Sequence, residues 1–300
     1  MHDILVIGSL NTDMVIHLEE VPRVGQTVIG KLQGNVPGGK GANQAFAAAK
    51  LGSGVSMLGK IGDDDFGKQL KENLSNVGVD TSNILCEPNE VSGLAVICVN
   101  EKGNNSIVVL PGANSTCDVS FIANHEKLIS ESKIVLIQLE IPIETAYFAL
   151  DLAYKHGCTV ILNPAPAPIK IPDKILSMVD YLTPNEIELE ELSGIKVKSL
   201  DSARLAAETL VAKGAKNVIV TLGRHGALWV NQNGGIPFDV EDIKVVDTTA
   251  AGDTFNAALA VGLAENMGIE ETITFANKAA RICVSRSGAQ SSIPSREEVV

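Results

Sequence analysis

From residue 55 onward, short apolar runs that predict β-strands alternate with longer segments that predict helices. The predicted strands cover 55–61, 134–139, 158–162 and 217–221, and the predicted helices cover 66–77, 119–130, 143–156, 202–213 and 269–285. Strands that alternate with helices form a mostly parallel sheet, because each helix carries the chain back to the edge where the previous strand began. The pattern therefore predicts an α/β fold with a central, mostly parallel sheet covered by helices on both faces.

Four other β-like runs lie outside this alternation, at 14–17, 27–36, 92–99 and 106–110. They predict a small sheet that projects from a single domain spanning 1–300. Apolar alternation along 94–98 leaves two roles open, a lid over the active site or a surface that pairs with a second copy. The plainer alternative is that these runs add edge strands to the main sheet.

Composition and charge exclude several classes of protein. The chain has 300 residues, 45% of them hydrophobic, which is enough for one substantial core. A net charge of −12 without a Lys/Arg cluster argues against nucleic acid as a partner. No apolar stretch reaches the ~18 residues of a membrane span, and the stretch 1–7 lacks a signal peptide's basic region. Five widely spaced cysteines predict free thiols. We expect a cytoplasmic protein that does not enter membranes.

The stretch Asp247–Asn256 places small residues at the start of a predicted helix. The backbone N–H groups of Ala250, Ala251 and Gly252 are unshielded there and can bind an anion, helped by the helix dipole. Asp253 would stand beside a bound phosphate, where it could deprotonate an attacking hydroxyl. The alternative is an ordinary helix N-terminus with small residues for close packing.

Polar residues also follow two predicted strands. Asn11, Thr12 and Asp13 come after an apolar strand at 3–8, and Glu140 closes the strand 134–139. Asn both donates and accepts hydrogen bonds whereas ionised Asp only accepts, so Asn11 and Asp13 suit vicinal sugar hydroxyls. The alternatives are a turn at Asn11–Asp13 and a helix cap at Glu140.

A glycine-rich segment, Pro37–Gln44, opens the next helix. Its residues Gly34–Lys40 match the first part of a P-loop, but Gly41 replaces the required Ser or Thr and no buried apolar strand precedes it. We therefore reject a P-loop. The glycines allow the backbone to approach a polar ligand, and Asn43 can hydrogen-bond it, unless the segment is only a flexible loop.

Two later segments suit a nucleotide. Asn185 and Glu188 are spaced i, i+3 on a short helix, where they could orient the waters of Mg²⁺, although acidic residues are also common in a first helical turn. The polar turn 221–227 could let its backbone lie against a nucleotide or form a plain hairpin. Within it, we expect His225 to be an exposed turn residue rather than a catalyst.

These motifs occur together and in one order along the whole chain: Asn11–Asp13, Gly38–Asn43, Asn163–Ala167, Asn185–Glu188, Asp247–Asn256 and Gly288–Gln290. In this the chain resembles the ribokinase family of sugar kinases, which includes fructokinases and adenosine kinase. The resemblance implies a Rossmann-like fold with a small β-sheet that acts as lid and homodimer interface. It also implies ATP-dependent phosphorylation of the 5-hydroxyl of D-ribose.

The resemblance further implies a role for individual positions. Asp253 would be the base, with the anion hole at Ala250, Ala251 and Gly252. The sugar-binding positions would be Asn11, Thr12, Asp13, Gly39, Lys40, Gly41, Ala42, Asn43, Glu140 and Asp253. The ATP-binding positions would be Asn185, Thr221, Leu222, Gly223, Arg224, His225, Gly226, Gly252, Asp253 and Asn277. Glu188 would act through Mg²⁺ and its waters, and potassium would lie at Asp247, Thr249, Cys283, Arg286, Gly288 and Ser292, several of them through backbone carbonyls.

Two departures and two alternatives remain at this stage. Asn277 stands where some relatives have histidine, and relatives usually continue beyond Val300 into a further helix. A kinase for 2-deoxyribose or another small sugar is the alternative within the class. The alternative outside it is a sensor that has lost turnover, whose expected mark would be loss of the base or the anion hole.

Overall fold

The computed structural model describes residues 3–101, 104–168 and 170–300. Their strands are β1 (Ile4–Ile7), β2 (Asn11–Leu18), β3 (Lys31–Gly38), β4 (Val55–Gly62), β5 (Ile84–Glu87), β6 (Gly93–Asn100), β7 (Asn105–Leu110), β8 (Ile134–Gln138), β9 (Thr159–Asn163), β10 (Tyr181–Leu182), β11 (Asn217–Thr221), β12 (Ala227–Asn231) and β13 (Gly234–Phe238). Their helices are α1 (Lys40–Lys50), α2 (Asp65–Asn76), α3 (Val119–Ala123), α4 (Glu126–Ser130), α5 (Ile143–Lys155), α6 (Asp173–Leu176), α7 (Glu186–Ser193), α8 (Leu200–Ala212), α9 (Ala251–Ala264), α10 (Ile269–Val284) and α11 (Arg296–Val299).

The main sheet is mostly parallel, and the predicted α/β class is confirmed. Its order is β13-β12-β11-β10-β9-β8-β1-β4-β5, and among those of its strands that the structure describes only the pairs β11–β12 and β12–β13 are antiparallel. In the central strand β1, Ile4 and Val6 pack on one side with α1, α9 and α10, while Leu5 and Ile7 pack on the other with α5 and α8. Helices thus cover both faces, because both faces of the strand are apolar.

The parallel strands all end at one edge of the sheet. Ile7 at the end of β1 lies opposite Leu58 of β4 and Ile137 of β8, and Leu162 of β9 continues the same row. The loops that leave these strands therefore meet above one edge, which is where open α/β sheets bind their ligands.

The four β-like runs outside the alternation form a separate four-stranded sheet in the order β3-β2-β6-β7, so they are not extra edge strands of the main sheet. The outer pairs are antiparallel, and β2 with β6 is parallel. Two predicted bounds were wrong. Residues 27–30 precede β3 instead of forming its first part, and the run predicted at 14–17 begins earlier, at Asn11, so the alternative of a turn at Asn11–Asp13 is wrong. Pairing with Gly38 and Gly93 on both sides holds Asn11 extended, which local sequence does not reveal.

The helix predicted over 119–130 is two short helices, α3 and α4. The break has a local cause, because the side chain of His125 hydrogen-bonds the carbonyl of Phe121 at 2.8 Å and takes the place of a backbone N–H. The N–H of His125 goes instead to Ile122, which closes a tighter turn. Elsewhere the predicted helices differ from the observed ones by one or two residues. Across the described ranges, no helix is both long and apolar enough to cross a bilayer.

Candidate active site

Asp253 lies in the first turn of α9, at the edge where the parallel strands end, and it is 8% exposed. Each of its carboxylate oxygens accepts an amide hydrogen bond. Asn43 Nδ2 donates to Oδ2 at 3.0 Å, and Gln44 Nε2 donates to Oδ1 at 2.9 Å. Asn43 and Asp253, both expected at the sugar-binding site, are thus in direct contact although they are far apart in the chain.

Burial raises the pKa of Asp253, and the negative charge of Glu140 raises it further. The positive charge of Lys40 and the hydrogen bonds from Asn43 and Gln44 lower the same pKa and partly offset burial. A carboxylate with a raised pKa is a stronger base than one in water, which suits proton abstraction from a hydroxyl.

The start of α9 has an unusual backbone. Ala250 is in the left-handed region with φ 61°, a conformation that costs a non-glycine residue of order 1–3 kcal/mol and that clusters at functional sites. In the described part of the chain, the N–H groups of Ala250 and Gly252 have no hydrogen-bond acceptor. The N–H of Ala251 makes a long bond of 3.3 Å to Thr248, so this member of the predicted anion hole is partly engaged.

Asn11 and Asp13 lie on the same side of β2, and Thr12 points to the opposite side because side chains alternate along a strand. The amide of Asn11 has a set orientation, since its Oδ1 accepts a hydrogen bond from Asn114 Nδ2 at 2.8 Å. Asn114 is held in turn by both backbone groups of Leu10, at 2.9 and 3.1 Å. The nitrogen of Asn11 is therefore left to donate to a ligand. The sequence assigned no role to Asn114.

Asp13, like Asp253, has a raised pKa. Burial, followed by the charges of Glu140 and Asp253, raises its pKa to about 7, while Lys40 lowers it. The carboxylates of Asp13, Glu140 and Asp253 thus share one lysine, Lys40. Without a ligand, this site carries more negative than positive charge. A ligand with several hydroxyl donors would relieve this, because it offers hydrogen bonds to the ionised carboxylates.

We expect Asp13→Asn to change the free energy of unfolding of the ligand-free protein more favourably near pH 8 than near pH 4. The pKa of Asp13 is about 7 in the folded state, against an ordinary value of 3.8, so the folded state binds more protons in this window. Its free energy of unfolding must then fall as the pH rises from about 4 to 7. Asparagine cannot ionise and removes this loss. Thermal unfolding at both pH values tests the expectation, which an equal difference between variant and wild type at both would contradict.

Glu140 joins the loop after β1 to the start of α1. Its Oε2 accepts hydrogen bonds from Ser9 Oγ at 2.6 Å and from the N–H of Lys40 at 3.1 Å, and the Lys40 ammonium lies 3.9 Å from Oε1. The capping alternative for Glu140 is wrong, because α5 begins after Pro142 without a side-chain cap. Burial lowers the pKa of Lys40, but attraction to Asp253, Glu140 and other carboxylates raises it overall.

The glycines of the segment before α1 have different roles. A Cβ at Gly38 would fall less than 3.0 Å from the carboxyl group of Asp13, and one at Gly39, which has φ +88°, would lie 2.7 Å from the N–H nitrogen of Asn11. The absence of a side chain at Gly38 and Gly39 therefore makes room for Asp13 and Asn11. Gly41 and Ala42 pack instead against the end of β1, where the N–H of Ala42 bonds Ser9 at 2.9 Å. Their predicted direct contact with a sugar has no support in this packing.

A cavity of about 380 Å³ opens on the other side of the α9 N-terminus. Its lining includes Asn185, Thr221, Gly223, Gly226, Gly252 and Asn277. Arg224 also lines it. Three predicted nucleotide positions do not line it: Leu222 is buried in the core, His225 is an exposed turn residue, and the carboxylate of Asp253 binds Asn43 and Gln44 instead. The turn joins β11 to β12, so it is a hairpin as well as a cavity wall.

Asn185 and Glu188 form a capping box at the start of α7. Asn185 Oδ1 accepts from the N–H of Glu188 at 2.8 Å, and the N–H and Nδ2 of Asn185 each donate to Glu188 at 2.9 Å. This is the plain structural role that the sequence left open. Each Glu188 oxygen still has a free lone pair, so the arrangement remains compatible with hydrogen bonds from metal-bound water.

Five of the six positions implied for potassium lie in one hydrogen-bonded cluster. The Asp247 carboxylate accepts from the N–H and Oγ1 of Thr249, at 2.9 and 2.7 Å, and from the N–H of Gly288 at 2.9 Å. Burial raises the pKa of Asp247, but these bonds together hold it below its ordinary value. Cys283 Sγ contacts the Thr249 carbonyl and Ser292 Oγ. The side chain of the sixth, Arg286, pairs with Glu298 instead.

Comparison with known proteins identifies the family. A profile described as pfkB family carbohydrate kinase matches residues 1–296. The chain belongs to this family. It is 40% identical to the ribokinase of Haemophilus influenzae over 98% of this chain and 96% of that protein, and 38% identical to the deoxyribokinase of Salmonella typhimurium over 99% and 97%. A solved structure of Arabidopsis thaliana ribokinase complexed with ribose and ATP matches with a TM-score of 0.92, at 34% identity over 99% and 97% of the two chains.

Several polar residues of this pfkB-family chain contact the site without having been assigned to it from sequence: Ser9, Gln44, Asn73, Asn114, Gln138 and Gln290. Most of them are buried amides. A buried amide inside an apolar helix or strand is the signal that could have found Gln44 and Gln138, because such a group requires a partner. Asn73, on the half-exposed α2, gives no such signal.

Proposed function

We propose that this chain is a ribokinase, which transfers the γ-phosphoryl group of ATP to the 5-hydroxyl of D-ribose. The observation that carries the proposal is the position of Asp253. It lies between the free N–H groups of Ala250 and Gly252 and the polar groups of Asn43 and Asp13, so one residue can face both reactants. The similarity to the Haemophilus influenzae ribokinase and to the ribose and ATP complex of the Arabidopsis thaliana enzyme supports the same substrates.

In the proposed mechanism, the chain mainly positions the reactants and balances their charge. Asn11 donates to one sugar hydroxyl and Asp13 accepts from its neighbour. Asp253 accepts the proton of the attacking hydroxyl as its oxygen bonds to the γ-phosphorus, while the bond from that phosphorus to the bridging oxygen breaks and ADP leaves. The N–H groups at the start of α9 and the helix dipole stabilise the negative charge that develops on the transferred group.

Magnesium and potassium both fit the residues present. Mg²⁺ keeps several waters and would neutralise phosphate charge when bound with ATP, and Glu188 has free lone pairs for those waters. Potassium binds oxygen ligands such as carbonyls, and the cluster around Asp247 offers one ionised carboxylate with neighbouring backbone. We propose that Asp247, Thr249, Cys283, Gly288 and Ser292 hold this cation, with Arg286 contributing only its backbone, and that it steadies the loop before α9.

The small sheet is proposed to act as lid and homodimer interface. Its edge strand β7 exposes Ile107, Val108, Val109 and Leu110, and β3 exposes Leu32 and Val36. An apolar edge strand of this kind is usually covered, because its free backbone groups and side chains would otherwise pair with other chains. Sedimentation of the purified protein tests the dimer, and a monomer at all concentrations contradicts it.

The proposed reaction is tested by ATP consumption with Mg²⁺ on ribose, 2-deoxyribose, fructose and adenosine, with and without potassium. Rapid, potassium-stimulated turnover on ribose supports both the substrate and the cation. The absence of turnover on every sugar overturns the kinase proposal in favour of a binding protein.

A 2-deoxyribose kinase is the second candidate, because a deoxyribokinase is almost as similar to the chain as the ribokinases are. The same assay separates the two. A site whose polar groups bind a hydroxyl rejects the sugar lacking it, since a buried group is then left without a partner. Preference for 2-deoxyribose would keep the mechanism and replace the substrate.

A further inference from the structure

The two oxygens of Asp253 are the end points of two chains of side-chain amides, which we call the carboxamide chains. The first runs through Gln44, whose Nε2 donates to Asp253 Oδ1 at 2.9 Å. Gln44 Oε1 accepts in turn from Gln138 Nε2 at 2.5 Å. Gln44 and Gln138 are both fully buried, on α1 and β8. The same Gln44 nitrogen also donates to Asn163 Oδ1 at 3.2 Å, so both of its hydrogens and its oxygen are used.

The second chain reaches the other oxygen from the opposite side. Asn43 Nδ2 donates to Asp253 Oδ2 at 3.0 Å, and Asn43 Oδ1 accepts from Gln290 Nε2 at 3.0 Å. Gln290 Oε1 accepts from Asn73 Nδ2 at 2.5 Å. This chain therefore starts on the half-exposed α2, crosses the turn 290–292 and ends at the buried carboxylate.

Chemistry sets the direction of every amide in these chains. An ionised carboxylate only accepts hydrogen bonds, so the amides next to it must present nitrogen to Asp253. Asn43 must then present oxygen to Gln290, and Gln290 must present oxygen to Asn73. An amide in the opposite sense would place two acceptors in contact in a buried site, which is costly.

We propose that Gln44 and Gln290 are positioning residues that fix the direction of the amides facing Asp253, and so hold its carboxylate ionised and aimed at the attacking hydroxyl. The inference rests on the proposed role of Asp253 as base. Neither residue needs to touch substrate. Gln44 acts directly on the carboxylate, and Gln290 acts through Asn43.

Other charged or titratable groups face the same carboxylate and set the background against which the amides act. Lys40 on α1 lowers the pKa of Asp253, and Glu140 after β8 raises it. Asp13 of β2 and Cys283 of α10 also interact with its charge, as does Glu188 of α7. Since the amide substitutions leave all five groups in place, a change in the titration of Asp253 can be assigned to the amides.

The test compares neutral variants of similar shape, Gln44→Met and Gln290→Met, with the control Gln69→Met. Gln69 lies exposed on α2, the helix that carries Asn73, and takes no part in the carboxamide chains. Two quantities are measured: the pH dependence of kcat on ribose, and the titration of the Asp253 carboxyl carbon by ¹³C NMR in the ligand-free protein. Asp253→Asn assigns the NMR signal.

We expect Gln44→Met to move the acidic limb of kcat and the NMR midpoint upward by about one to two pH units, because one hydrogen bond to a charged group is lost. Gln290→Met should move both upward by less, since Asn43 keeps its bond to Asp253 but loses the partner that orients it. The control should move neither. A purely structural role would lower kcat by one factor at every pH and leave the NMR midpoint in place.

Unchanged midpoints in folded Gln44→Met and Gln290→Met overturn the inference. If Gln44→Met does not fold, Gln290→Met and the half-exposed Asn73→Leu carry the test on the second chain. Failure of the base proposal looks different. In that case Asp253→Asn keeps near-wild-type turnover, whereas the NMR titration still reports whether the amides act on the carboxylate.

Discussion

Asp253→Asn is expected to lower kcat on ribose by about 10²–10⁴-fold, the usual contribution of a general base. Asparagine has nearly the same shape as aspartate but cannot accept the proton of the attacking hydroxyl. Its amide nitrogen would also face one of the two donors, Asn43 or Gln44, that now bind the carboxylate. The proposed ribose and ATP sites lie on either side of this residue, so we expect both ligands still to bind. Steady-state kinetics and calorimetric titration of each ligand measure the two effects separately.

Asp65→Asn is the matched control. Asp65 is also an aspartate in the first turn of a helix, α2, but it is exposed and pairs only with Lys68 in the described structure. Its removal weakens a helix-dipole interaction worth less than about 1 kcal/mol and should leave kcat unchanged. Near-wild-type turnover of Asp253→Asn would show that another group accepts the proton.

Gly38→Ala is expected to reduce kcat/KM for ribose by about 10²-fold and to leave the KM for ATP nearly unchanged. The added Cβ would fall less than 3.0 Å from the carboxyl carbon and both carboxyl oxygens of Asp13, closer than real Cβ contacts come. Asp13 must then rotate away from the position in which it faces Lys40 and Glu140. A displacement of about 1 Å in a reacting site can cost 10²-fold in rate, which is the basis of the estimate.

Gly34→Ala offers a control on the same strand. A Cβ at Gly34 would meet nothing within 4 Å, and Gly34, like Gly38, is not among the glycines with positive φ. The two substitutions therefore add the same methyl group to β3 with the same backbone cost, and only Gly38→Ala displaces a side chain. Equal kinetics for the two variants would contradict the proposed role of Asp13 in sugar binding.

Local patterns determined much of this protein. Strands β1, β4, β8, β9 and β11 and most helices of the main domain follow from apolar periodicity, which depends only on neighbours within one element. The short strands β5 and β10 were not predicted. The start of α9 was equally readable, because the residues from Ala250 to Asp253 are consecutive and one helical turn brings a carboxylate beside free N–H groups. The capping box of Asn185 and Glu188 is local in the same sense, at a spacing of three residues. In each case the geometry is set by bonds within a few residues of the chain.

Tertiary structure alone decided how the site is completed. Asn43 and Asp253 meet across 210 positions of the chain, and Gln290 meets Asn43 across 247. The raised pKa of Asp13 and the amide orientation of Asn11 depend on such distant neighbours as Asp253 and Asn114. Hydrogen bonds and charge interactions act over a few ångströms of space, so their partners cannot be derived from residue type or local periodicity. They exist only once the sheet order has brought the strand ends and helix termini together.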